Sequence, residues 1–284
     1  MKSIGTLISE ASQVLRSSGV PNSRQDAGLL LADILDADRT FIISHPETVV
    51  ANSAVIQFEE VIRRRAAGEP VQYITGKQEF FKLLFRVTRD VLIPRPETEV
   101  LVEQALSFLP ISGSSPLICD VGTGSGCILI SLLHERRLAT GIGIDISERA
   151  LIVARENADR HQVLGRGAFL VGDCFDAVVQ QPVFDLVVSN PPYVAADSLS
   201  GLQREVRDYE PQIALSPGGA GLSVIFKLLM QTARVLKTGG HLLIEIGFDQ
   251  QEVVVREINS RVWKLLDVHE DLQGIPRTVV LQKL

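Results

Sequence analysis

From Val183 to Tyr193 the chain reads Val-Phe-Asp-Leu-Val-Val-Ser-Asn-Pro-Pro-Tyr, an apolar stretch that stops abruptly at a polar residue, two prolines and an aromatic. Apart from Asp185, the run Phe184 to Val188 is apolar and valine-rich without clean alternation, the pattern of a strand buried on both faces of a parallel sheet. Such a strand needs a layer of structure on each side, so an α/β fold is expected. Asn190 then stands at the carboxyl end of the strand, the edge at which open α/β sheets bind ligands. The prolines fix φ and remove two N–H donors, which leaves a stiff loop rich in carbonyl acceptors. A primary amide beside those carbonyls is an acceptor pair suited to a substrate –NH2 group, and the Tyr193 ring is placed to cover that group.

Strand and helix patterns alternate from Leu117 onward. Leu117 to Val121 is a short apolar strand, and Gly122-Thr123-Gly124-Ser125-Gly126 turns it into a helix running through Leu133. Glycines let the backbone approach a ligand closely. The spacing is G-x-G-x-G rather than the G-x-G-x-x-G of pyrophosphate loops, and an acid, Asp120, opens it. A second strand, Gly141 to Ile146, ends near Asp145, where a carboxylate can accept from both hydroxyls of a ribose. The alternative is that Asp145 caps the helix starting near Ser147. A third strand, Ala168 to Val171, leads to Gly172-Asp173-Cys174-Phe175. Further on come a helix from Val224 to Leu236, a turn at Gly239-Gly240, a strand from His241 to Ile246, a helix from Gln250 to Ile258 and last strands near Val262–Val268 and Thr278–Leu281. This order predicts a doubly wound, mostly parallel sheet.

The first 70 residues read as a small helical bundle. Ile4, Leu7, Ile8, Ala11, Val14 and Leu15 form one amphipathic stripe. Ser23 is expected to cap a helix from Arg24 to Asp36, and shorter periodic segments follow at Arg39–Ser44 and from Asn52 to about Ala67. Arg63-Arg64-Arg65 fits a solvated helix end whose cations complement the dipole, or a contact with an acidic partner. Tyr73 to Gly76 and Phe80 to Val87 suggest extended chain, a hairpin joining the two halves. Pro96 is placed to start a helix, with Glu97 and Glu99 in its first turn.

Composition narrows the function classes. At 284 residues with 45% hydrophobic and 22% charged side chains, the chain has the makeup of a soluble globular protein of one domain plus a smaller one. Its apolar runs are too short for a bilayer span, and the amino terminus lacks a secretory signal, so the cytoplasm is the expected location. Three cysteines without CxxC spacing argue against disulfides and structural zinc, and five scattered histidines give metal catalysis no support. A net charge of −6 disfavours a protein that grips long nucleic acid. Residues 76–95 are the exception, with five basic and two acidic side chains.

Asn190-Pro191-Pro192-Tyr193 after a strand resembles the signature of amino-methyltransferases, which modify exocyclic base nitrogens or glutamine amides. Asp120 with the glycine loop resembles the first motif of S-adenosylmethionine-dependent methyltransferases. Gln72-Tyr73-Ile74-Thr75-Gly76 with Phe80, Ile93-Pro94-Arg95-Pro96-Glu97-Thr98-Glu99, the segments Glu205–Leu215 and Gly218–Leu222, and Asp271–Arg277 are all similar to release factor glutamine methyltransferases, a resemblance running from about Gln72 to Arg277.

That resemblance implies a seven-stranded methyltransferase sheet over 96–284 that closes with an antiparallel hairpin, a hairpin linker over 72–95 and a helical substrate-recognition domain over 1–71. It implies S-adenosyl-L-methionine as cofactor, S-adenosyl-L-homocysteine as product and no metal. The cofactor residues would be Asp120, Gly122, Thr123, Gly124, Ser125, Gly126, Asp145, Asp173, Cys174, Phe175 and Asn190. Asp173 would accept from the adenine amino group and residue 174 or 175 would lie against the ring, Phe175 standing in for an aromatic or belonging to the core. Asn190, Pro191 and Tyr193 would carry the reaction, with Pro192, Arg95 and Glu97 on the substrate side. The implied partner is a peptide-chain release factor modified on the glutamine of its Gly-Gly-Gln motif, with the bundle and the basic residues steering an acidic surface. The competing readings are a DNA or RNA amino-methyltransferase acting on a flipped base and a non-enzymatic nucleoside-binding module. The Pro-Arg-Pro-Glu-Thr-Glu segment, the bundle and the acidic charge favour the glutamine enzyme, and an intact Asn190 disfavours the binding module.

Overall fold

The computed structural model describes residues 2–176, 178 and 180–284. The chain divides into two compact units, one running to Lys77 and adding Gln203–Tyr209, the other formed by Gln78–Leu202 and Glu210–Leu284. The first unit is helical, with α1 (Ile4–Ser17), α2 (Ser23–Leu35), α3 (Arg39–Ser44), α4 (Asn52–Ala66) and α5 (Val71–Thr75). Ile4, Leu7, Ile8, Ala11 and Leu15 of the α1 stripe are buried with Leu30 and Leu31 of α2 and Val55, Phe58 and Ile62 of α4 in one apolar cluster, while Val14 of the stripe is exposed. Side-chain caps set two starts: the Ser3 hydroxyl accepts from the Thr6 N–H, and the Asp38 carboxylate accepts from the Phe41 N–H at 2.6 Å.

Three local expectations are corrected. Ser23 does not cap α2 from outside; it is the first helical residue and is buried, and the N-cap is Asn22, which makes no side-chain capping bond. Tyr73 to Thr75 is not extended but forms most of α5, which starts after Pro70 and stops at Gly76 with φ 72°. The β-branched and aromatic residues suggest a strand, while proline before and glycine after are helix boundaries. Arg65 is not on a solvated face. It is buried, with its guanidinium 2.8 Å from Asp26 and 2.8 Å from Glu205. Arg64 pairs with Glu69, Arg63 with Glu60, Lys77 with Asp33 and Arg86 with Glu156. These cations are neutralised within the chain, which weakens the expected field toward an acidic partner.

The second unit begins with the expected hairpin, β1 (Lys77–Phe80) and β2 (Leu83–Arg86), continues through a turn at Pro96–Thr98 into α6 (Glu99–Ser107), and then winds β3 (Leu117–Val121), α7 (Cys127–Glu135), β4 (Thr140–Asp145), α8 (Glu148–Arg160), β5 (Gly167–Val171) and β6 (Phe184–Ser189). The short helices α9 (Arg204–Tyr209, within the segment assigned above to the helical unit) and α10 (Gln212–Leu215) follow. The chain closes with α11 (Ser223–Val235), β7 (Leu236–Glu245), α12 (Gln251–Glu257), β8 (Trp263–Glu270) and β9 (Pro276–Lys283). The seven-stranded sheet has the order β5-β4-β3-β6-β7-β9-β8. Strands β3 to β7 pair in parallel, and β9 runs antiparallel to both β7 and β8. Gly239 and Gly240 lie inside β7, where the pairing slips between Phe184–Leu236 and Leu186–His241.

Both faces of β6 are covered, as its composition requires. Leu186 and Val188 join the apolar cluster of Ile118 and Leu243, and Phe184 and Val187 join that of Cys119, Leu242 and Ile244. The lone acid of the strand joins it to its neighbours, since Asp185 accepts from the Leu117 N–H at 2.8 Å and from Lys237 Nζ at 2.7 Å. At the other end the Ser189 hydroxyl donates to the Val121 carbonyl at 2.7 Å. Buried Asn157 of α8 ties the hairpin to the glycine loop, accepting from the Arg86 N–H and donating to the carbonyls of Arg86 and Ser125. No described helix is long and apolar enough to cross a membrane.

Replacing one partner of a buried ion pair strands the other. Arg65→Met is therefore expected to lower the stability of the helical unit by about 3 kcal/mol, because Asp26 keeps a buried charge without its counterion. Urea unfolding followed by circular dichroism measures this, and a loss below about 0.5 kcal/mol removes the network from the account of what holds the bundle together.

Candidate active site

The order of the sheet reverses between β3 and β6, and ligands bind at such a point, outside the carboxyl ends of the strands. Here β3 runs into the glycine loop and β6 into Asn190. Gly122, Gly124 and Gly126 hold φ at 73°, 55° and 81°, which only glycine adopts freely. The loop is anchored across to β4, whose Ile144 carbonyl accepts from the N–H groups of Gly122 and Thr123 at 2.8 and 3.0 Å. The result is a cavity of about 480 Å³, the size of a small-molecule site.

Of the residues singled out from sequence, Gly122, Thr123, Gly124, Ser125, Asp145, Asp173, Cys174, Asn190, Pro191, Pro192 and Arg95 line this cavity. Asp145 takes one N–H on each oxygen, from Gly124 at 2.8 Å and from Ser147 at 2.9 Å, while Ser147 itself caps α8. Each carboxylate oxygen keeps a further acceptor site, and burial raises the carboxyl's pKa. Asp173 is paired with Lys227 at 2.9 Å, and Lys227 is also on the wall. Cys174 sits at φ 53° with its thiol pushed up to about 12 by burial. Arg95 reaches Glu210 at 2.7 Å.

Asp120, Gly126, Glu97, Phe175 and Tyr193 are not among the wall residues. Asp120 is fully buried behind the loop, where Oδ2 accepts from the Thr123 hydroxyl at 2.7 Å and from the Leu129 N–H at 3.3 Å. Burial raises its carboxyl to about 7, and Oδ1 has no hydrogen-bond partner among the described residues. Phe175 is core, packed near Phe184. The Tyr193 hydroxyl turns away to Glu245 Oε1 at 3.3 Å.

Sequence reasoning passes over the part that several residues play in shaping this region. Thr98, inside the Pro-Arg-Pro-Glu-Thr-Glu segment, lines the cavity and accepts from Asn190 Nδ2 at 3.0 Å. Glu245 is a buried acid that follows the apolar residues Leu242, Leu243 and Ile244 at the end of β7, a signal visible in the sequence. Gln250 donates to the Tyr193 carbonyl at 2.9 Å. The loop after Tyr193 is also held by Gly221, since a Cβ there would stand 2.2 Å from the Tyr193 carbonyl oxygen. Lys227 belongs to a helix whose pattern is only amphipathic.

An open glycine wall and a carboxylate at the end of the neighbouring strand, with acceptor sites left on both oxygens of Asp145, suit a nucleoside. Asp145→Asn is expected to weaken binding of S-adenosyl-L-homocysteine by about 1.5–3 kcal/mol, through loss of charge-assisted hydrogen bonds while side-chain size is kept. Isothermal titration is the measurement, and unchanged affinity in a folded variant removes Asp145 from the nucleoside contact.

Residues 6–76 match a PrmC N-terminal domain model, and residues 114–262 match a methyltransferase domain model. The chain is 39% identical over 279 residues to a release factor glutamine methyltransferase of Nitratidesulfovibrio vulgaris, covering 98% of this chain and 94% of that one. It is 41% identical over 269 residues to the enzyme of the same name from Koribacter versatilis, covering 95% and 94%. A methyltransferase structure from Pyrococcus furiosus shares the fold, with a TM-score of 0.53 at 15% identity over 78% of this chain and 97% of the other. With two full-length relatives at this level of identity and its glycine-walled cavity at the sheet's reversal point, the chain belongs to the family of release factor glutamine methyltransferases.

Proposed function

We propose that this protein transfers a methyl group from S-adenosyl-L-methionine to the side-chain amide nitrogen of the glutamine in the Gly-Gly-Gln motif of a peptide-chain release factor. The observation that carries the reading is the state of Asn190. Its Nδ2 is committed to Thr98, so the acceptor end of the amide, Oδ1, is turned the other way on the wall of the cavity. Bound at the glycine wall, the cofactor supplies a methyl already activated by its sulfonium.

What remains for the protein is to prepare a poor nucleophile. The lone pair of an amide nitrogen is delocalised into its carbonyl, so the –NH2 group must be held and aimed. Asn190 Oδ1 and the Pro191 carbonyl accept its two hydrogens, which draws electron density onto nitrogen and fixes its approach. No strong base is needed before transfer, since the proton becomes acidic once nitrogen is methylated and solvent takes it. Asp145 and the loop from Gly122 to Ser125 hold the cofactor, and the Arg95–Glu210 pair fixes the wall beside the reacting groups. The helical unit is read as the part that recognises the body of the substrate, because a Gly-Gly-Gln loop offers little side-chain surface.

Asn190→Ala is expected to lower kcat by about 100-fold or more, as for deletion of a transition-state hydrogen-bonding group, while affinity for S-adenosyl-L-homocysteine changes by less than about threefold, roughly 0.7 kcal/mol. Incubation with labelled cofactor and a release factor, with and without its loop glutamine changed and alongside total DNA and RNA, tests the assignment. Label on nucleic acid, or on the release factor lacking its glutamine, overturns it.

A further inference from the structure

An ammonium group carries three hydrogens and no acceptor, so its partners show whether it has anything left for a ligand. Lys227 lines the cavity, yet its head group is matched by three acceptors of the protein. Nζ lies 2.9 Å from Asp173 Oδ2, 3.2 Å from the Asp173 carbonyl oxygen and 2.9 Å from Asp176 Oδ2. Gln231 follows about one turn further along α11, on the same face of the helix. Both ends of its amide are used on the same short segment. Nε2 donates to Asp176 Oδ1 at 2.9 Å, and Oε1 accepts from the Phe175 N–H at 3.0 Å. Two side chains of one helix thus grip the turn formed by residues 173–176.

That turn has to be held. Cys174 sits at φ 53°, in the left-handed region that residues with a side chain rarely adopt and keep only where the surroundings over-determine it. The surroundings do so from two sides. Phe175 is fully buried in the apolar cluster that contains Ile225, Leu228 and Leu229 of α11 and Phe184 of β6, while Lys227 and Gln231 fix the polar edge. What the turn brings to the cavity wall is Asp173 and Cys174. The Asp173 side chain is 54% exposed. A carboxylate this open favours solvent unless a partner fixes its direction, and Lys227 is that partner. The lysine takes Oδ2, and Oδ1 stays outside the ion pair.

We propose that Lys227 and Gln231 are positioning residues for base recognition: they hold residues 173–176 in one shape, and Lys227 aims the Asp173 carboxylate at the exocyclic amino group of the bound nucleoside. Lys227 acts through Asp173 and not on the ligand, because its own hydrogens are already matched. The consequence is specificity. An ionised carboxylate only accepts hydrogen bonds, so a base that carries a carbonyl oxygen in place of its –NH2 sets acceptor against acceptor and is rejected. This consequence rests on the cofactor reading given above, with adenine as the base. The hold of α11 on the turn belongs to the protein without any ligand.

Isothermal titration with S-adenosyl-L-homocysteine and with its deaminated counterpart, S-inosyl-L-homocysteine, tests the assignment. Wild type is expected to bind the deaminated ligand at least about 10-fold more weakly. Lys227→Met, which keeps an apolar stem and removes the charge, is expected to weaken S-adenosyl-L-homocysteine by about 10-fold. Its affinity for the deaminated ligand is expected to stay within about threefold of wild type, so that the preference collapses. Asp173→Ala is expected to cause a similar loss, and adding Lys227→Met to it to cost less than about threefold more, since residues that act through one another are not additive. In the ligand-free protein the Phe175 amide is expected to exchange faster with solvent in Gln231→Leu than in wild type. The proposal is overturned by wild-type affinity in Lys227→Met, by equal losses for the two ligands, by additive losses in the double variant, or by Phe175 exchange that ignores Gln231. If wild type binds neither ligand, the cofactor reading fails and takes the role in base recognition with it. If wild type binds S-adenosyl-L-homocysteine and Lys227→Met keeps the preference, the cofactor reading stands and the positioning role alone is overturned.

Discussion

The pairing of β3 with β6 is the constraint on which the site depends. It is secured at both ends by side chains rather than by the ladder alone, through Asp185 to the Leu117 N–H at the start and through Ser189 to the Val121 carbonyl at the finish. A slip by one residue would carry every apolar side chain of β6 to the opposite face, and both pins would break with it. Because the register puts Val121 opposite Ser189, the next residues on each strand, Gly122 and Asn190, leave the sheet side by side. A Cβ on Gly122 would come within 3.8 Å of the Asn190 carbonyl oxygen. The glycine loop and the Asn-Pro-Pro-Tyr motif are thus neighbours because of one strand pair, although 68 residues separate Val121 from Ser189 in sequence.

The parts of the molecule that are readable from sequence are those in which local pattern and burial agree. The strand carrying Asn190, the glycine turn and the acid ending the second strand all follow from apolar runs closed by residues with restricted or unusual backbone geometry, whereas the antiparallel direction of the last two strands is legible only through the family resemblance. Tyr73 to Thr75 reads as extended because its composition favours strands, whereas a short helix between Pro70 and Gly76 is what the boundary residues select. Arg65 reads as solvated because its neighbours Arg63 and Arg64 are charged. Its burial depends on Asp26 and Glu205, one 39 residues away and the other far along the chain, and no local pattern reports such a partner.

The site shows the same division. Residues that meet a ligand through backbone shape are visible as a motif. Thr98 reaches Asn190 from a different element, the single turn before α6, and no local pattern around either residue reports that they meet. Asp120 sits in the motif but faces inward, where it organises the loop through Thr123 and Leu129. Membership of a motif therefore does not say on which side of the backbone a residue does its work.

The excursion of Gln203–Tyr209 into the helical unit has a consequence for how the protein comes to be. Glu205 is the second carboxylate on Arg65, beside Asp26, and the Tyr209 hydroxyl donates to the Ala67 carbonyl at 3.2 Å. During synthesis the first helices therefore emerge with Arg65 paired to Asp26 but without its second carboxylate, and the fold of that unit is not complete until the ribosome has made most of the catalytic sheet as well. Contacts of such sequence separation close late and slowly. The amino-terminal region is thus not a module that finishes first and waits; its last piece is supplied from within the methyltransferase sequence, and maturation of the two units is joined in time by a single short helix.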